Sequence, residues 1–154
     1  MQNKNFTLYH KIYQLIKIMY KTVKNFPKEH KYSLGNEMIG LAWECLDLTI
    51  LVNNLPNEQK KIKIENLSVV FDKLKMRLRM GQEINLLSVG QFSHINEGYL
   101  LEIGKEIGGW LKWAKKAGGG GDKRNFFMAG AFGSQINLIP KGAHNLPTAI
   151  FAAS

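Results

Sequence analysis

The sequence predicts an all-α protein, an up-down-up-down four-helix bundle with a flexible, Gly-rich C-terminal tail. Three observations carry that prediction. Apolar residues recur at alternating spacings of three and four through most of residues 4–117, the period of a buried helical face. Proline-containing breaks, Phe26-Pro27 and Leu55-Pro56-Asn57, separate the first three periodic stretches from one another. Seven of the 15 glycines fall in 118–154, beginning with Gly118-Gly119-Gly120-Gly121. This skew places a domain boundary near Ala117, with a bundle over 1–117 and a weakly structured tail over 118–154.

The first helix is expected from Lys4 to Asn25. Phe6, Tyr9, Tyr13, Ile16, Tyr20 and Val23 form the stripe assigned to the core. Leu8, Ile12, Leu15 and Met19 form a second stripe about 90° round the wheel. That surplus is assigned to an oligomer interface. Phe26-Pro27 stops the helix, because proline restricts the residue before it.

The second helix is expected from Ser33, its N-cap, to Asn53. It is apolar nearly all round, which predicts burial nearly all round. Its acids, Glu37, Glu44 and Asp47, gather on one stripe that must face water or meet bases from a neighbour.

The third helix is expected from Glu58 to Leu87. Ile64, Leu67, Phe71, Leu74 and Leu78 make its core face. Val69 and Met76, with Met80, lie elsewhere on the wheel and join the interface set. The fourth is expected from Val89 to Lys116, with Leu100, Ile103, Ile107, Leu111 and Ala114 inward. Gly104 and Gly108 share a face, which suggests close approach by another helix, the alternative being a kink. Exposed apolar stripes of this size mark interfaces, so a homo-oligomer is expected.

The chain has 154 residues, a formal net charge of +9 and a pI of about 9.7. The charge is segregated: +6 over 1–31, −3 over 32–57, +4 over 58–80, zero over 81–117 and +2 over 118–154. A positive excess of this kind favours an anionic partner, most often nucleic acid. The candidate contacts are Lys17, Lys21, Lys24, Lys28 and Lys31 in and after the first helix. Lys60, Lys61 and Lys63 open the third, and Lys73 and Arg77 close it. Lysine contacts to phosphate give affinity without sequence specificity, and nothing resembles a base-reading module.

Other chemistry is poorly represented. His10, His30, His94 and His144 are scattered, and the Glu-x-x-His of di-iron bundles is absent. No Walker loop, dinucleotide fingerprint or nucleophile elbow occurs. Cys45 lies in the most apolar helix and reads as a buried small side chain. No catalytic residues, metal ligands or cofactors are therefore assigned. A single cysteine excludes an internal disulfide and fits a reducing compartment. No apolar run approaches the roughly 18 residues of a membrane span. The first residues lack a secretory signal, so cytoplasmic placement is expected.

Two stretches carry a family resemblance: Phe26-Pro27-Lys28-Glu29-His30-Lys31-Tyr32-Ser33-Leu34-Gly35, and Glu102-Ile103-Gly104-Lys105-Glu106-Ile107-Gly108-Gly109-Trp110-Leu111-Lys112. The first resembles a broad family of small four-helix bundles that includes proteins encoded in intervening sequences of large-subunit ribosomal RNA genes. Together they resemble the accessory variability determinant (Avd) proteins of diversity-generating retroelements. The likeness covers roughly residues 5–115. It implies a homopentameric barrel of bundles with a basic surface. It also implies binding to an error-prone reverse transcriptase and to RNA or DNA, while the complex copies template RNA into adenine-mutagenised cDNA. The alternative is a self-assembling bundle of the ribosomal intervening-sequence type, structural or RNA-associated, with no polymerase partner. A neighbouring reverse-transcriptase gene separates the two.

Overall fold

The computed structural model describes residues 4–120, and side chains from 8 to 117. The tail prediction, from residue 121 onward, lies outside the described residues.

Four long helices make the bundle, and no strand occurs among the described residues. Helix α1 is Lys4–Val23. Helix α2 runs over 28–54, built from a first turn Lys28–His30, a π-turn Lys31–Gly35 and the regular stretch Asn36–Asn54. Helix α3 is Asn57–Glu83. Helix α4 runs over 89–120, with a π-turn at Asn96–Leu100 between Val89–Ile95 and Leu101–Gly120. Each helix packs on its neighbours in sequence, and α4 closes the bundle against α1.

The core on α1 is Leu8, Ile12, Leu15, Ile16, Met19 and Val23. Leu8, Ile12, Leu15 and Met19 are thus inside the bundle, and their assignment to an oligomer interface is corrected: no surface of theirs is left for a second copy. Tyr13 and Tyr20, assigned inward, are 42% and 51% exposed. Both stripes have a helical period, so period does not choose between them. Side-chain chemistry does, since fully apolar chains go inward and a tyrosine can keep its hydroxyl wet.

Helix α2 is less enclosed than its composition suggests. Met38, Ala42, Cys45, Leu46, Leu48 and Val52 are buried, but Trp43, Ile50 and Leu51 are exposed. Ser33 is not an N-cap. It lies inside the π-turn, and its hydroxyl donates to the Glu29 carbonyl at 2.8 Å, the back-bonding expected of serine within a helix. The helix starts earlier, directly after Pro27. Gly35 permits this compact corner. A Cβ there would stand 2.5 Å from Val23 Cγ1 and 3.2 Å from the His30 carbonyl oxygen.

Helix α3 buries Ile64, Leu67, Val70, Phe71, Leu74 and Leu78. It ends four residues before the predicted Leu87. Asn85 turns left-handed at φ 66°, while the Leu86 amide donates to the Gly81 carbonyl at 2.8 Å and the Asn85 amide to Gln82 at 3.0 Å. This is a Schellman termination. Leu87 then folds back into the core, where a Cβ on Gly81 would meet its Cδ1 at 2.9 Å.

Ser88 starts α4 with a capping box: its hydroxyl accepts from the Gln91 amide, and the Gln91 side chain accepts from the Ser88 amide. Satisfying two amide donors at once fixes this helix start. On α4, Ile103, Ile107, Trp110, Trp113 and Ala114 are buried. The glycine expectation fails here. A Cβ on Gly104 would make only an ordinary 3.5 Å contact with Phe71, and one on Gly108 would meet nothing within 4 Å.

Candidate nucleic-acid interface

The basic residues fall into two sets that differ in what surrounds them. On α1, Lys17, Lys21 and Lys24 are exposed. No carboxylate of the described residues lies within 4.0 Å of their ammonium groups. Lys17 sits 5.2 Å from the centre of the Tyr13 ring, an exposed cation–π contact. Lys28 is exposed and Lys31 half-buried just beyond, in the first turns of α2.

On α3 the charges are answered. Arg77 Nε meets Glu37 Oε1 of α2 at 3.0 Å. Lys75 meets Asp72 at 2.9 Å, and Arg79 meets Glu83 at 3.0 Å. Lys73 faces Glu44, whose carboxyl is raised by burial and drawn back by the lysine. The acidic stripe of α2 therefore meets bases from its neighbour, one of the two outcomes the sequence allowed. Of the predicted contacts, Lys73 and Arg77 are the ones this stripe engages.

The lysines opening α3 serve the fold in part. Lys60, Lys61 and Lys63 are half-buried, and burial pushes the Lys60 ammonium below its ordinary value. Glu65 is nearly enclosed, and burial pushes its carboxyl up to about 7 against the pull of Lys61 and Lys115.

Lys11 shows a pairing missed from sequence. Its ammonium meets Glu102 and Glu106 of α4, both at 2.9 Å. Burial would lower its pKa, but the two carboxylates outweigh that and raise it. Glu102 and Glu106 are thus a clamp joining α1 to α4. The i,i+4 spacing of the two acids was the only available signal, and the lysine stands 91 and 95 residues away.

Met76 is 63% and Val69 38% exposed, so these two members of the predicted interface set do lie at the surface. Met76, Phe92 and Leu100 line a cavity of about 300 Å³ between α3 and α4, rimmed by Asp72, Lys75, Arg79 and Asn96. Cys45 is buried, and burial pushes its thiol well above the ordinary range, which leaves it inert. Among the described residues no group of three or more His, Cys, Asp or Glu could hold a metal ion. No helix there is long and apolar enough to cross a membrane.

A family model described as bAvd-like matches residues 6–114, well over half of the chain. No curated protein and no solved structure matches it.

Proposed function

The chain belongs to the bAvd-like family, and from that premise we propose that it is the accessory protein of a diversity-generating retroelement. It assembles as a basic homopentameric ring of bundles. The ring binds the element's error-prone reverse transcriptase together with template RNA and cDNA, and supplies no catalytic group itself.

The observation that carries this reading is the lysine face of α1. Its charges have no acidic partner among the described residues, so an anionic polymer can neutralise them. The exposed stripe of Val69, Met76 and Met80 on α3 supports assembly, because apolar surface left by a closed core marks a contact between chains.

A salt series tests the reading. Full-length protein titrated into labelled template RNA should lose affinity linearly in log salt, with a slope of about −0.7 per phosphate neutralised on a single strand. Purified reverse transcriptase of the same element should co-elute with it. RNA binding that is absent or indifferent to salt, together with no polymerase binding, rejects the proposal. Light scattering should give five times the 17.5 kDa chain mass, and a monomer at micromolar concentration rejects the ring.

A further inference from the structure

Phosphate contacts do not account for everything on the outer face of α1. Tyr13, Lys17, Tyr20 and Lys24 are spaced four, three and four residues apart, so rings and ammonium groups alternate along one line. The line is about 16 Å long at 1.5 Å per residue. Helix α2 adds Trp43, 38% exposed, whose indole Nε1–H donates to Tyr20 Oη at 3.0 Å. That bond satisfies the donor and fixes both rings, leaving aromatic carbon at the surface. Beside Trp43, a Cβ on Gly40 would meet nothing within 4 Å, so the space there is open.

We propose that this face is a stacking surface for single-stranded nucleic acid, with Tyr13, Tyr20 and Trp43 taking bases while Lys17 and Lys24 take the phosphates between them. The proposal rests on the nucleic-acid reading above and narrows it to one face and one strand state. Every base has a π-face, so stacking adds affinity without sequence preference. Duplex bases are already stacked on each other and are not available to these rings.

Charge sets which way the backbone and the bases of the bound strand face. Asp47, one turn beyond Trp43 and exposed, repels phosphate from the α2 side. The strand's backbone therefore follows the lysines of α1, and its bases point toward α2. The competing use of these rings is contact with a second copy. Val69, Met76 and Met80 on α3, and Ile50 and Leu51 on α2, are further exposed apolar residues, so the assembly mass of a variant lacking the rings separates the two uses.

The test compares three probes by fluorescence anisotropy on full-length protein: an oligouridine, an abasic ribose-phosphate chain of equal length, and duplex RNA. The wild type should prefer oligouridine to the abasic chain by about tenfold or more. Tyr13→Leu, Tyr20→Leu and Trp43→Leu together should bring that ratio near one, with the salt slope unchanged and the assembly mass unchanged by light scattering. Tyr20→Phe, which keeps the ring, should retain the preference.

Equal binding of oligouridine and the abasic chain by the wild type overturns stacking while leaving the phosphate reading in place. A preference that survives the triple substitution also overturns it. A change of assembly mass in the triple variant assigns the rings to the contact between copies. Failure of all three probes at low salt overturns both the stacking and the nucleic-acid reading.

Discussion

Helices α1 and α3 are both lysine-rich, yet they use their charge in opposite ways. On α3 the bases of the C-terminal half meet Glu37, Asp72 and Glu83, and Lys73 lies opposite Glu44. On α1, Lys17 lies against the Tyr13 ring, and Lys17, Lys21 and Lys24 meet no described carboxylate. Lys11, the lysine of α1 that does face acids, sits on the side toward α4. Net charge alone does not separate the two helices. The fate of each charge in the fold does, since a base already paired with a carboxylate has less to gain from a phosphate.

The largest effect expected from this difference is on RNA affinity. Charge reversal at Lys17, Lys21 and Lys24 together should weaken binding to single-stranded RNA about 100-fold or more at low salt, given the counterions each contact releases. Neutralising Lys75 and Arg79 to glutamine should cost less than about threefold. Anisotropy titrations over a salt series measure both, with circular dichroism to confirm the fold. Equal losses from the two helices would break the comparison.

The next effect concerns stability. If the charges of α3 serve the fold, stability should follow its buried acid. The Glu65 carboxyl stands at about 7 in the folded chain against an ordinary 4.5. Between those values the folded state holds a proton that the unfolded state has released, so stability must fall as pH rises from about 4.5 to 7. The loss should be of order 3 kcal/mol, given about 1.4 kcal/mol per pH unit over that interval. Glu65→Gln should flatten that slope in urea unfolding at pH 5 and pH 7.5. An unchanged slope would assign the dependence to another group.

Much of the fold was legible before the structure. Alternating three-and-four spacing and two proline breaks were enough for the helices, because burial leaves a period and proline removes a donor. What lay inside on α1 was not legible, since two stripes competed with the same period. The π-turn at Lys31–Gly35 was hidden too, because nothing in Lys-Tyr-Ser-Leu-Gly distinguishes it from a cap. The candidate site was readable as a charge excess and no further. Which bases are answered depends on Glu37 reaching Arg77 across 40 residues, and helical periodicity carries no information about such partners.

A smaller effect probes the answered side directly. Glu37→Gln removes the carboxylate that holds Arg77 and leaves the guanidinium available. RNA affinity should rise about two- to threefold at low salt and return to the wild-type value at high salt. Stability should fall by under about 1 kcal/mol, as for exposed pairs in general. Loss of affinity would mean that this ion pair helps shape the binding surface, and the two helices could no longer be treated as separate.

The smallest effect separates the surface of α1 and α2 from that of α4 through two glycines. Gly40 and Gly108 both lie within helices with open space where a Cβ would go. Alanine at either should therefore raise stability by about 0.5–1 kcal/mol, the helix propensity difference. Their effects on binding should differ. Gly40 lies one turn before Trp43 on α2, so a methyl there takes up open surface next to the proposed stacking face, and single-strand affinity should drop about twofold while duplex affinity holds. Gly108 is remote in sequence from every candidate contact, and Gly108→Ala should leave binding unchanged. Equal stabilisation with unequal binding would place the single strand against α1 and α2. Equal binding in both variants would confine the interaction to the lysines.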